Sequence, residues 1–436
     1  MQTSLETLGQ LERRLTMSVP LAHIETEVKL RLARLAKNAK VPGFRPGKVP
    51  MTMIAKQYGP QVRSDVISDA LQATFADAVR EQNLRIAGSP RIEPKGDTAA
   101  NDQLEFSAVF EVYPEVKLGD LSGVTIERPV TEVGPEDIRN TIEMLRRQRV
   151  RYEHVNRPAT AGDRAMVDFS GRIDGVAFPG GQASDFGIVI GEGRMLPEFE
   201  AAVSGMSEGE TKAFALTFPA DYHGQEVAGK HAEFTLTVKN VAAAVLPEVD
   251  ADFATAFGIA GGGVDELHAE IAANLRLELK RKIESKVKDQ AFAALRQIAE
   301  LALPRSLVEQ ETQNLAQRLA ADLRQQGMKP EDIKLTPEMF RASAEGRVAL
   351  GLVLAEVVRA HGLHAKPDQV KALVQEAAQT YEQPEAVVRW HFEKSERLSD
   401  FESLAVEHNV VEWVLGRAKV EDKPVTFAEV MGTKEK

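Results

Sequence analysis

Cysteine is absent from this 436-residue chain. That absence removes disulfides, thiol nucleophiles and thiolate metal sites, and it fits a reducing compartment. Long apolar runs are missing too: none approaches the roughly 20 residues needed to span a bilayer, so no membrane helix is expected. The opening MQTSLETLGQLERRL carries Glu6 and Glu12 and lacks the apolar stretch of a secretory signal, so the expected location is cytoplasmic. Aromatics are sparse, at 6% with two tryptophans, which makes any local concentration of them informative. One more absence is local: from Lys29 through Arg63 there is no acidic residue, although the chain as a whole has a formal charge of −11.

What fills that acid-free stretch is a cationic block of Lys29, Arg31, Arg34, Lys37, Lys40, Arg45, Lys48, Lys56 and Arg63. Within it, residues 41–50 read VPGFRPGKVP. Proline fixes φ and glycine permits φ > 0, so this decapeptide is expected to form a shaped, exposed turn. A solvated linker gains nothing from the aromatic Phe44, whereas a docking tip uses one apolar anchor flanked by cations. Docking on a polyanionic partner is therefore favoured over a plain solvated face. Gly43, Phe44, Arg45, Gly47, Lys48 and Pro50, with Pro46 between them, match the GFRxGKxP signature by which the bacterial trigger factor family docks on ribosomes. The resemblance implies that this loop touches protein and RNA beside the polypeptide exit.

The length accommodates about three domains. Residues 1–114 read as α+β, with helical spacing over Ile24 to Ala39, Met51 to Tyr58 and Val62 to Gln82, and strands near Leu5 to Leu15 and Leu104 to Val112. Residues 115–160 read as a linking strand and helix; Pro135 opens the helix, and Arg146, Arg147, Arg149 and Arg151 complement its negative end. Residues 161–245 read as a compact β-rich domain, and 246–436 as helices at Val264 to Leu303, Arg305 to Gln326, Pro337 to His361, Pro367 to Tyr381, Pro384 to Phe392 and Arg397 to Val420. The fold class is thus multidomain α+β with an all-α C-terminal part.

Phe169, Phe178, Phe186, Phe199, Phe214, Phe218, Tyr222 and Phe234 all fall in the β-rich segment, eight of the chain's 25 aromatics. Such rings can be ordinary core. The framing segments VDFSGRIDG (167–175), GEGRMLPEFEAAVSGMSEGE (191–210), FPADYHG (218–224) and AEFTLTV (232–238) resemble, in order and spacing, the FK506-binding-protein (FKBP) family of peptidyl-prolyl isomerases. That resemblance implies an antiparallel sheet wrapped on a short helix near Leu196 to Val203. It carries Phe169, Phe178, Phe186, Met195, Leu196, Phe199, Tyr222 and Phe234 into an apolar catalytic pocket. Two positions depart from the family: Phe199 stands where tryptophan is usual, and Pro179 where an acid is common.

Three decoys are set aside. Gly205-Met206-Ser207-Glu208-Gly209 satisfies G-x-S-x-G but follows a helix and precedes a strand, the reverse of a nucleophile elbow. His361 and His364 flank Gly362 without a third ligand nearby, and Gly261 to Gly263 lack the Lys and Ser/Thr of a phosphate loop. No metal and no cofactor is expected, since rotation about an X-Pro amide needs neither.

In the helical remainder, Leu303, Leu307, Val308, Met328, Met339, Leu350, Val353, Leu354 and Val357 are candidates for an exposed apolar cradle, although amphipathic stripes are more often core. By resemblance this part is a chaperone body with two arms. The whole resemblance implies a ribosome-associated chaperone that holds nascent and unfolded chains, keeps them export-competent and isomerises X-Pro bonds, with a homodimer off the ribosome. Two rivals stay open: a stand-alone isomerase with accessory helices, and a nucleic-acid-binding module built on Lys29 to Arg63. The first leaves the basic loop unexplained, and Phe44 and the apolar pocket count against the second.

Overall fold

The computed structural model describes residues 2–38, 44, 49–95, 102–222, 224–259, 261–328, 335–379, 381 and 383–432. The chain divides into two compact units, Met1–Arg128 with Ser285–Lys423 and Pro129–Glu284 with Pro424–Lys436. It is a multidomain α+β protein, and among the described residues no helix is long and apolar enough to cross a membrane.

The chain begins with a hairpin, β1 (Gln2–Thr7) and β2 (Glu12–Pro20), where a single strand was expected. Leu15, Met17 and Val19 alternate inward along β2, the period-two pattern of a half-buried strand. Helices α1 (Leu21–Asn38) and α2 (Met51–Glu81) pack on it, and β3 (Ile86–Pro94) and β4 (Gln103–Val112) complete a sheet of order β1-β2-β4-β3. The expected break between Tyr58 and Val62 is absent: α2 runs straight through Pro60. A proline removes one helical hydrogen bond, but Ile54 on one side of it and Val62 and Val66 on the other bury against the same core, so packing carries the helix across. Short strands β5 (Lys117–Leu118) and β6 (Thr125–Val130) follow.

Helix α3 (Pro135–Gln148) starts at Gly134, whose N–H donates to the Asp137 carboxylate at 2.8 Å. The arginines at its end are engaged. Arg146 donates to the Pro247 carbonyl at 2.8 Å, and Arg149 donates to the Ala256 carbonyl while lying 4.6 Å from the Phe257 ring centre. Strands β7 (Arg151–His154), β8 (Arg164–Ile173), β9 (Val176–Val189), β10 (Thr211–Thr217) and β11 (His231–Val245) form one antiparallel sheet of order β10-β11-β8-β9, with β7 pairing the end of β11. Helix α4 (Pro197–Val203) packs on its inner face, and α5 (Ala251–Ala256) is capped by Asp250.

The rest is mainly helical: α6 (Val264–Ile298), α7 (Arg305–Gln325), α8 (Glu338–His361), α9 (Pro367–Ala378), α10 (Pro384–Phe392) and α11 (Ser399–Leu415). A short strand β12 (Ala299–Glu300) ends α6 and pairs with β5. The expected helix to Val420 instead stops at Leu415, and β13 (Lys419–Pro424) pairs with β6. There Arg128 grips Asp422 with two hydrogen bonds of 2.6 and 3.0 Å, and Lys423 reaches Glu127 at 2.8 Å. Cross-strand pairing with β6 overrides the helical periodicity. The last element is α12 (Phe427–Met431), capped by Thr426.

Candidate functional site

The β8–β11 sheet curls over α4, and its inward side chains make an aromatic bowl. Phe199 on α4 is its floor, 2% exposed, with the rings of Phe169, Phe214 and Phe234 edge-on at 5.2, 5.4 and 5.7 Å. Phe169 extends the contact to Phe186 at 5.7 Å, and Phe234 to Phe178 at 6.1 Å. Edge-to-face packing of this kind adds about 0.5–1.5 kcal/mol per pair beyond area burial, so the rings hold each other's orientation. Met195, Leu196 and Tyr222 pack against the same cluster, half-buried. The structure therefore brings all eight expected pocket residues together, with Phe186 the most open at 38%.

Two rings that the resemblance did not carry into the pocket belong to its frame. Phe214 stacks on Phe234 at 5.8 Å and 19°, and Phe218 bridges Phe178 at 5.9 Å and Tyr222 at 4.9 Å. Their membership in the local aromatic concentration was the available signal. Glu200 also escaped notice. Its carboxylate accepts the N–H of Gly191 at 3.0 Å and that of Met195 at 3.3 Å, pinning the loop that presents Met195 and Leu196. Gly171 lies under Phe234, and a β-carbon there would stand 2.5 Å from the ring.

The eight side chains are apolar apart from the Tyr222 hydroxyl, so the bowl offers an apolar aromatic wall with one polar tip rather than an acid–base pair. The buried ion pair of this domain is structural. Arg157 holds the buried Asp163 through bonds of 2.5 and 2.9 Å, and the Thr160 N–H adds a third at 2.9 Å. The Arg157 hydrogen bond outweighs burial and keeps the Asp163 carboxyl below its ordinary range. Ser207 sits in the turn between α4 and β10, its N–H donating to Glu210 at 2.8 Å.

Of the expected docking loop, Phe44 and Pro50 lie within the described residues and both are exposed. Gly43, Arg45, Pro46, Gly47 and Lys48 lie outside them. Leu30, Leu35, Met51 and Met53 on the flanking helices are also exposed apolar residues. Arg31 of the cationic block pairs with Asp69 at 2.7 Å. The cradle candidates split: Met328 and Met339 are exposed, whereas Val308, Val353 and Val357 are buried core and Leu303, Leu307, Leu350 and Leu354 are intermediate. The exposed aromatics of this part are instead Tyr381, Trp390 and Phe392 around α10.

Comparison with known proteins places these features in a setting. The family described as "Bacterial trigger factor protein (TF)" matches residues 1–145, its C-terminal counterpart matches 263–416, and "FKBP-type peptidyl-prolyl cis-trans isomerase" matches 155–239. Proteins named trigger factor are similar over nearly the full length of both chains. That of Aromatoleum aromaticum is 53% identical, covering 99% of this chain and 99% of its own. That of Dechloromonas aromatica is 51% identical, covering 100% of each, and that of Nitrosospira multiformis is 50% identical, covering 99% and 100%.

Proposed function

This chain belongs to the trigger factor family, ribosome-associated chaperones that carry an FKBP-type peptidyl-prolyl isomerase domain, and we propose that the bowl floored by Phe199 is its isomerase site. We assign residues 1–114 to ribosome binding, 115–160 to the link, 161–245 to isomerisation and 246–436 to the helical chaperone body. Phe169, Phe178, Phe186, Met195, Leu196, Phe199, Tyr222 and Phe234 line the site; Gly43 to Lys48 and Pro50 dock on the ribosome. The exposed Met328, Met339, Tyr381, Trp390 and Phe392 suit loose, unspecific holding of unfolded chains in an export-competent state. The cytoplasm, where nascent chains emerge, is the compartment this reading requires.

The chemistry follows from the lining. Rotating an X-Pro amide means losing conjugation against an uncatalysed barrier of about 18–20 kcal/mol. In the twisted transition state the amide dipole is smaller, so a dry aromatic wall disfavours it less than it disfavours the planar form. The Tyr222 hydroxyl can donate to the substrate carbonyl. This is differential binding, with no nucleophile and no proton shuttle.

The ring cluster centred on Phe199 carries the reading. Its test is Phe199→Leu, which keeps an apolar side chain on the floor while breaking three ring contacts. Isomerisation of a short X-Pro peptide should fall at least roughly tenfold as transition-state contacts are lost, while suppression of aggregation of an unfolded protein stays near wild type. Equal loss of both activities, or undiminished isomerisation, defeats the assignment.

A further inference from the structure

Strand β9 carries one more residue than its partner beside the bowl. Val167 of β8 pairs with Phe186, yet the next inward residue, Phe169, pairs with Ala183, so Ser184 and Asp185 together face Asp168. This β-bulge sets the face on which Phe186 lies. In an unbroken strand, residues three apart point to opposite sides; the extra residue returns Phe186 to the inner face that Ala183 occupies, against Phe169. Asp185 takes up the kink in the left-handed region, at φ +52°, which aspartate tolerates better than most residues.

Strand β11, on the other side of β8, is bulged at the same level. Val238 pairs with Val167 but Asn240 with Met166, which leaves Lys239 as the extra residue. The two bulged side chains meet over β8. Lys239 Nζ lies 2.5 Å from Asp185 Oδ1 and 3.7 Å from Asp168 Oδ2, and Asp168 Oδ1 accepts the Asp185 N–H at 2.7 Å. Asp168 thereby replaces the ladder bond that the bulge costs Asp185.

We propose that Asp168, Asp185 and Lys239 form a positioning clasp that joins the two bulges and holds Phe186 at the rim of the isomerase pocket. This inference rests on the pocket assignment above. All three side chains are substantially exposed, and exposed ion pairs contribute little to stability, so the clasp's consequence is local geometry rather than folding. In this role the three residues do not touch substrate; they act through Phe186.

The experiment uses the full-length protein and a short X-Pro peptide. Asp168→Ala should lower kcat/KM by roughly five- to tenfold, the scale of a modest misplacement of a contacting group, while the melting temperature moves by no more than about 2 °C. Asp168→Asn, whose amide oxygen can still accept the Asp185 N–H, should keep more than half of wild-type kcat/KM. Phe186→Ala should itself lower kcat/KM, and adding Asp168→Ala to it should cost nothing further, because the clasp then has nothing left to position. Wild-type activity of Asp168→Ala or of Phe186→Ala, failure of Asp168→Asn to rescue, or losses that add in full in the double variant would each overturn the proposal. Phe199→Leu in the same assay separates the two claims: if it is impaired while Asp168→Ala is not, the pocket stands and the clasp falls.

Discussion

At the scale of single residues, the bowl depends on where side chains are missing as much as on where they are. Gly171 pairs directly with Phe234 and has ordinary strand geometry, so the requirement for glycine there is packing and not backbone freedom. A methyl group would meet the Phe234 ring at 2.5 Å, and Phe234 in turn touches Phe199 and Phe178. Gly171→Ala should therefore cost about 1–3 kcal/mol, as overpacked cores do, and should lower peptide isomerisation as the floor and rim rings shift. Thermal melts and peptide kinetics measure the two effects. Gly123→Ala, where no atom lies within 4 Å of the added carbon, is the silent control; a Gly171→Ala protein equal to it in both measurements would show that Phe234 has room to move.

Among the elements, the N-terminal sheet and the helical body of the first unit meet at one helix end. Helix α7 begins after Pro304, which has no side-chain cap to offer. Glu111 on β4 supplies it from 194 residues away, accepting the Arg305 N–H at 3.0 Å, the Ser306 N–H at 2.8 Å and the Ser306 hydroxyl at 2.7 Å. Burial pushes the Glu111 carboxyl upward, but the Ser306 and Arg305 hydrogen bonds and the Arg305 charge together bring it below the ordinary glutamate value. A folded-state pKa below the unfolded one means that the stabilisation is complete above the unfolded pKa and fades as pH falls through the folded one. Glu111→Ala should destabilise by about 1 kcal/mol at neutral pH, as loss of other helix caps does. The gap between the wild-type and variant melting temperatures should close below about pH 4. A gap that stays constant down to that range would rule out the carboxylate as its cause. Contacts of this kind mark what the sequence could not disclose. Helix positions and the membership of the aromatic pocket were legible, because period and family spacing are local signals. The continuation of α2 through Pro60, the switch from helix to strand at Lys419–Pro424, the cap by Glu111 and the parity shift at Phe186 all depend on a partner distant in sequence or on register. The cradle candidates failed in part for the same reason: Val353 and Val357 share the amphipathic spacing of an exposed stripe, and only tertiary packing shows that they are covered.

For the molecule as a whole, charge and surface chemistry argue for attachment to an anionic particle. A chain of net charge −11 is repelled by RNA at long range, so binding must come from a concentrated local patch. We propose that the acid-free stretch from Lys29 to Arg63 supplies the charges of that patch, with Phe44, Met51 and Met53, which are exposed, as apolar anchors. Two kinds of contact should then separate by their salt response. Cations on phosphates release counterions, so ribosome affinity should fall steeply with salt and Arg45→Ala with Lys48→Ala should flatten that slope by about two charges' worth. Phe44→Ala should weaken binding at every salt concentration while leaving the slope intact, since an apolar anchor is not screened. Co-sedimentation with ribosomes across a salt series measures both. If the combined Phe44→Ala, Arg45→Ala, Lys48→Ala protein pellets as the wild type does, the loop is not the docking element; if it fails to pellet yet isomerises a proline peptide normally, attachment and catalysis are separable properties of one chain.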